Sequence, residues 1–425
     1  MTAAGSAPYW PDEALDVPAL RAAGLRALPF QEFVLKVQSS CNLACDYCYV
    51  YRAGDESWRT QPRSMTARTA DLACRRIADH VRAHGLRTVR VILHGGEPLL
   101  VGPAFIDRLV RGLRALLPEG TRSDVTIQTN GTLVDDAVLD LCHTHGIRLG
   151  ISLDGDRAVH DAHRRTPGGA GSHDTVARVL GRLGDERHRP LWAGLLTTVD
   201  VTTDPAAVYR HLLSFRPPAI DLLLPLANWG RPPFGRTGDP EQVPYADWLR
   251  VVFDLWYHAP AQPVRMPFFE GIVDLLLGGT SGVESVGGGQ ARAVVIETDG
   301  TLTQSDLLKS AYPGAPWTGG DLRHDALDSL LDHPGFVARQ LGPGSLCEEC
   351  RACPVVRVCG GGLYVHRYRP GSGFHHPSVY SPDMKALITH ISRTVSGDFS
   401  RFTRLSRPDR TGPADGRDGV RAADA

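Results

Sequence analysis

Phe33-Val34-Leu35-Lys36-Val37-Gln38-Ser39-Ser40-Cys41-Asn42-Leu43-Ala44-Cys45-Asp46-Tyr47-Cys48 is the stretch on which the reading of this chain turns. Its first half is a short apolar run without Gly or Pro, the pattern of a buried strand. Its second half sets three cysteines at spacings of three and then two residues, with an aromatic before the last. Three thiolates in so short a loop can wrap one corner of an iron–sulfur cube and leave one iron open to an outside ligand. Structural zinc usually closes with four ligands, and this loop supplies three. A zinc loop completed by a distant histidine is the alternative.

Outward from this loop the chain alternates regularly. Strand-like runs follow at Val89–Leu93, Val125–Gln128, Leu149–Leu153, Trp192–Val199 and Ile220–Leu226. Helix-like stretches lie between and after them: Thr66–His84, Pro103–Leu117, Val134–His145, Thr175–Leu183, Pro205–Phe215 and Tyr245–Tyr257. The alternation predicts an α/β fold with a parallel sheet, and six units predict a partial (β/α)6 barrel. Reacting groups in such folds gather at the C-terminal ends of strands.

Each of the next three strand ends carries polar residues. His94-Gly95-Gly96-Glu97-Pro98 follows the second; its glycines allow close backbone approach, and Glu97 complements a cation. Gln128-Thr129-Asn130-Gly131 follows the third. Ser152-Leu153-Asp154-Gly155 follows the fourth, with Arg164 shortly after. Taken singly, each could be a capped turn or a surface ion pair. As an ordered set behind Cys41, Cys45 and Cys48, they resemble the radical S-adenosylmethionine (SAM) enzymes over about residues 33 to 230. The resemblance implies a 4Fe–4S cluster on the three cysteines, with the amino and carboxylate groups of SAM on its open iron. It further implies that Tyr47 lies against adenine and that Gly95, Gly96 and Glu97 meet the SAM ammonium. Gln128 and Asn130 are then expected at the ribose, with Ser152, Asp154 and Arg164 completing the site and Ser152 and Arg164 at the carboxylate.

A second group, Cys347-x2-Cys350-x2-Cys353-x5-Cys359, offers four thiolates in one Gly-rich loop, enough for a zinc ion or an iron–sulfur cluster. Behind a radical SAM barrel it resembles a SPASM domain, the auxiliary-cluster extension of peptide-modifying members. Leu363, Ser305, the Gly287–Gly289 run and Ser381 stand where further cysteines of that family would be, so one auxiliary 4Fe–4S cluster is expected rather than two. Glu297-Thr298-Asp299-Gly300, Asp306-Leu307-Leu308-Lys309, Cys353-Pro354-Val355-Val356 and Pro377-Ser378-Val379-Tyr380 resemble the cyclophane-forming maturases of ribosomally made peptides. These join an aromatic ring to a β-carbon within a three-residue motif. The expected partners are a precursor peptide and an external electron donor. Asp306 and Asp299 are the candidate proton acceptors, although an Asp-Gly turn also explains Asp299. Formylglycine or thioether formation, or a non-catalytic metal-binding role, are the alternatives.

Composition sets the outer limits. The 425 residues are 42% hydrophobic and 22% charged, with a net charge of −1. That balance gives no global basic field for nucleic acid or anionic lipid, and no apolar run is long enough to span a bilayer. No signal-like start precedes the first strand, so a cytoplasmic enzyme is expected. Only three of the 46 basic residues are lysine: Lys36, Lys309 and Lys385. Cys74 and Cys142 lie on helix-like stretches and read as small buried hydrophobes. The expected divisions are a loose N-terminal arm (1–32), the barrel (33–258), a linker or helical bridge (259–289), a small Cys-rich α+β SPASM-like domain (290–395) and a disordered tail (404–425).

Overall fold

Strand β1 (Glu32–Gln38) leads into the cysteine loop and lies inside a nine-stranded sheet. Most of its side chains are buried, as in a strand covered on both faces. The computed structural model describes residues 9–239 and 241–405, excepting the side chains of 399–405. On one side of β1 come β2 (Thr88–Gly95), β3 (Arg122–Thr129), β4 (Arg148–Ser152), β5 (Trp192–Thr198) and β6 (Ile220–Leu223), each parallel to the one before. Strand order follows chain order. Right-handed crossovers then put every helix on the same face, which makes this arrangement an incomplete (β/α)6 barrel.

After α1 (Val17–Ala22), the crossovers are α2 (Ala67–His84), α3 (Pro103–Leu116), α4 (Asp136–His145), the pair α5 (Arg157–His163) and α6 (His173–Gly184), and α7 (Pro205–Ser214). α8 (Pro244–Tyr257) follows β6. The helices begin and end where their sequence tells them to. Thr66 caps α2 by accepting from the Thr69 N–H, and Gly85 ends it in the left-handed region. Asp135 caps α4 in the same way. Ile106, Leu109, Val110 and Leu113 form the buried stripe of α3.

The C-terminal region is joined to the barrel by backbone pairing. β7 (Ala293–Ile296) runs parallel to β1 on its other edge, and β8 (Thr301–Thr303) and β9 (Trp317–Asp321) continue antiparallel. The hairpin expected at Asp299-Gly300 is the β7–β8 turn. Helices α9 (Pro267–Leu276), α10 (Pro334–Gln340), α11 (Glu348–Arg351), α12 (Val356–Cys359) and α13 (Ser381–Leu405) complete the order.

The expected divisions pack into one another. The 1–32 arm is not loose from residue 9 onward: Trp10 bridges to Gly373, and Phe30 is fully buried against Phe336. The 259–289 bridge contains α9, whose Phe268, Phe269 and Ile272 belong to the main core. That core runs without a break into Phe336, Tyr380, Leu387 and Ile391, so 33–258 and 290–395 share one sheet and one interior. Burial of aromatic and aliphatic side chains supplies the reason, since each such residue gains roughly 1.5–3 kcal/mol when covered. Of the tail, residues 404 and 405 end α13, and 406–425 lie outside the described residues. No helix among the described residues is long and apolar enough to cross a membrane.

Candidate active site

Cys41, Cys45 and Cys48 sit on the loop leaving β1, half-buried at the C-terminal end of the parallel strands. Backbone contacts hold this loop. The Ala44 N–H donates to the Arg165 carbonyl (2.7 Å), and the Glu97 N–H to the Ser40 carbonyl (3.0 Å). Gly96 makes the second contact possible: a Cβ there would fall 1.9 Å from Tyr51 Oη and 2.3 Å from Ser40 O. Burial pushes the Cys41 and Cys45 thiols up to about 11. A bare thiolate is therefore disfavoured, and a cationic metal centre is what would make it favourable.

The residues expected around SAM converge here, with partners that the sequence did not reveal. Glu97 is fully buried. Its carboxylate accepts from the Leu99 N–H (3.0 Å), the Thr129 hydroxyl (2.7 Å) and the Asn130 N–H (2.8 Å). Burial nonetheless raises it to about 7. Asn130 turns its amide to Asn42 (2.9 Å) and toward the Cys41 sulfur (3.8 Å). Gln128 donates to the Ser152 hydroxyl (3.2 Å).

Tyr47, Asp154 and Arg164 form one buried knot. The Tyr47 hydroxyl donates to Asp154, while Arg164 grips the same carboxylate through Nε (2.7 Å) and Nη2 (3.3 Å). Burial opposes the Asp154 charge, but Arg164 outweighs it and holds the carboxyl below its usual range. Arg164 was expected to present its fork to an outside carboxylate. In this structure its Nε and Nη2 meet Asp154, a buried aspartate that needs a counterion.

Next to this end of the sheet lies a charge cluster that sequence reasoning missed. Lys36 on β1 faces His94 on β2 (Nζ to Nδ1, 3.1 Å) and forms an ion pair with Asp306. Lys309 pairs with Glu297 (2.9 Å) and lies 3.6 Å from Asp306. Lys36, Asp306, Lys309 and Glu297 are all buried. Burial works against the Asp306 charge, yet Lys36 and Lys309 hold it well below the ordinary carboxylate range. Burial and Asp306 raise Glu297, and burial aided by Lys36 lowers His94 to about 3. The available signal was the rarity of lysine: two of three copies meet here. Asp299 stands apart from this cluster. It closes the β7–β8 turn by accepting from the Thr301 N–H (2.8 Å), and it also accepts from Gln61 (3.2 Å).

Cys347 and Cys353 are half-buried, and Cys350 and Cys359 are buried. Gly360 permits the fold of their loop, since a Cβ there would lie 1.8 Å from the Gly288 nitrogen. Arg367 is buried beside the thiols. It donates to the Gly360, Gly361 and Gly362 carbonyls (2.9–3.0 Å), and its Nη1 has no protein partner. A buried cation with a spare donor suits an anionic thiolate-bound group. Among the described residues, neither cysteine set brings three sulfurs within 4.8 Å of one another.

An incomplete parallel barrel with three cysteines after its first strand is the framework of enzymes that bind SAM at an iron–sulfur cluster. Residues 35–202 match the family model of the Radical SAM superfamily. Members of that superfamily use a 4Fe–4S cluster and SAM. Over its greater length the chain resembles protein-maturing enzymes. The serine-type anaerobic sulfatase-maturating enzyme of Klebsiella aerogenes is 29% identical over 386 residues, covering 87% of this chain and 89% of the relative. The cysteine-type enzyme of Clostridium perfringens is 23% identical over 346 residues, with 79% and 88% covered. The solved structure of native anSMEcpe with bound AdoMet has a TM-score of 0.72 at 21% identity, covering 88% of this chain and 98% of that one. Streptococcus suis SuiB bound to precursor peptide SuiA has a TM-score of 0.54 at 13% identity, with 85% and 77% covered. These structural likenesses concern the fold.

Proposed function

We propose that this protein is a radical SAM maturase that removes a hydrogen atom from a side-chain β-carbon of a ribosomally made peptide and joins that carbon to an aromatic ring. The observation that carries the reading is the gathering of Cys41, Cys45, Cys48, Glu97, Asn130 and Asp154 at one end of the sheet, with the buried pair of Lys36 on β1 and Asp306 in the turn after β8 beside them. Cys41, Cys45 and Cys48 hold the SAM-binding cluster, which with SAM supplies the carbon radical that attacks an unactivated C–H bond. Glu97 meets the SAM ammonium. Asp154 keeps Arg164 and Tyr47 fixed at the rim, so the cofactor meets a rigid wall.

Crosslinking removes two hydrogens from the peptide. One leaves as an atom; the other leaves as a proton and an electron. Asp306 faces the released proton, but two lysines make it a weak base. Lys309, hydrogen-bonded to Glu297 and 3.6 Å from Asp306, passes the proton on to Glu297, whose raised pKa makes it the natural resting place. Cys347, Cys350, Cys353 and Cys359 would hold one auxiliary iron–sulfur cluster, with Arg367 offsetting its charge, and such a group would supply an acceptor for the electron. An external donor and a cytoplasmic setting complete the proposal.

The second reading is formylglycine formation, favoured by the sulfatase-maturating relatives. Both readings begin at a β-carbon, and oxidation of a serine also removes two hydrogens. Mass alone therefore does not separate them. The test is co-expression with a candidate precursor encoded nearby, followed by tandem mass spectrometry and hydrazide trapping. Loss of two hydrogens, no reaction with hydrazide and missing fragments across a three-residue segment are expected. A hydrazide adduct would establish the aldehyde reading instead.

A further inference from the structure

The last turns of α2 carry His80 and His84, four residues apart and so on one side of the helix. Facing them is Asp328, in the short turn Leu327–Asp332 of the C-terminal region. His80 Nδ1 and His84 Nε2 both approach one oxygen, Asp328 Oδ1, the second at 3.2 Å. The three ligand atoms lie within 4.8 Å of one another, and no other group of three His, Cys, Asp or Glu among the described residues does so.

The far side of the His80 ring decides what belongs in the gap. His80 Nε2 lies 3.2 Å from the Phe30 carbonyl oxygen. A carbonyl only accepts, so Nε2 carries the hydrogen. The neutral ring then turns the Nδ1 lone pair toward a carboxylate, acceptor against acceptor. A positive charge must stand between them, either a second ring proton or a metal ion. The His80 side chain is 1% exposed. A backbone carbonyl on the remote nitrogen is also the usual support for a metal-bound imidazole.

We propose that His80, His84 and Asp328 bind a divalent first-row transition metal, Zn²⁺ foremost, at a site separate from both cysteine groups. Two imidazoles and a carboxylate suit Zn²⁺, Co²⁺ or Ni²⁺ and not Mg²⁺ or Ca²⁺. The His84 and Asp328 side chains are 28% and 42% exposed, which leaves room for water to complete the coordination. Ligands about 2.0–2.2 Å from zinc sit about 3.3 Å apart in a tetrahedron. The carboxylate, on an exposed turn, needs only to draw back from His80. The site lies at the opposite end of the sheet from the cysteine loop, since β2 begins at Thr88 just after His84. A bound ion would tie α2 to the C-terminal region, with His80 holding the segment that enters β1 through Phe30. Its role is that of a staple.

The test uses holoprotein reconstituted with iron and sulfide, freed of loose metal and dialysed against micromolar Zn²⁺. The parent is compared with His84→Ala and Asp328→Asn, both at partly exposed positions outside the active site. Iron content and SAM cleavage serve as folding controls. The parent should retain one more zinc per chain than either variant, at least tenfold more tightly, and zinc should raise the unfolding temperature of the parent alone. The pairs His143–His188 and His173–His211 are common to all three proteins, so their uptake cancels. Equal zinc uptake in parent and variants would overturn the proposal. So would a His80 ring found doubly protonated at neutral pH by NMR in zinc-saturated protein.

Discussion

Lys36 and Lys309 show how much depends on single side chains. Each is buried against an acid, and removing one partner of a buried pair typically costs about 3–5 kcal/mol. Lys36→Met should lower stability by about that amount, and adding Asp306→Asn should recover part of it, as a denaturation double-mutant cycle would show. Asp306→Asn alone should leave SAM cleavage running while crosslinked product falls at least tenfold, measured as deoxyadenosine against modified peptide. Glu97 gives a pH dependence. Its folded pKa of about 7 lies above an unfolded value of about 4.3, so the neutral carboxyl contributes stability at low pH that is lost as pH rises through 7. A ligand ammonium reverses the preference. SAM affinity should therefore rise about fivefold between pH 6 and 7 and about twofold more by pH 8, and Glu97→Gln should bind weakly with that slope removed. Titration at several pH values would show it, and an unchanged slope in Glu97→Gln would remove Glu97 from the ammonium. The cysteines were legible because their chemistry is written in local spacing. The partner of Lys36 was not, because Asp306 is brought in from the far end of the chain by tertiary pairing.

At the scale of elements, the six strand–helix units could be read within a few residues, because caps and apolar stripes are local. Thr66, Asp135, Gly85 and Gly146 mark helix ends in the sequence as they do in space. α9 and α13 escaped because they are held by contact with α8 and the main core, which no window of sequence contains. Arg164 teaches the same lesson at the rim of the site. It lies at the end of α5, and in the structure it pairs with Asp154, just past the end of β4, a partner that spacing alone does not reveal. The meeting of the β1 and β2 loops makes a prediction at this scale. Gly96→Ala pushes a methyl group into Ser40 and Tyr51, so the cysteine loop must shift. The variant should fold, yet hold about four fewer irons per chain than the parent by iron and sulfide analysis. Full iron content would show that the loop tolerates the shift.

For the whole molecule, the count of metal centres is the sharpest expectation. Two cubes require about eight irons per chain, and replacing Cys41, Cys45 and Cys48 by Ala should leave about four and abolish SAM cleavage. Stoichiometric zinc in place of the second four would make the Cys347–Cys359 loop structural and remove the proposed electron acceptor. The barrel and the expected C-terminal domain share one sheet, because β7 pairs with β1. That pairing has a consequence for biosynthesis. β1 is made early, but its outer edge stays open until residues 293–296 have left the ribosome. An unpaired apolar strand next to three uncovered thiols is exposed to aggregation and to oxidation. Nascent chains halted before β7 should therefore depend on chaperones and a reducing environment, and cofactor loading at the first loop should follow completion of the sheet rather than accompany synthesis of the barrel.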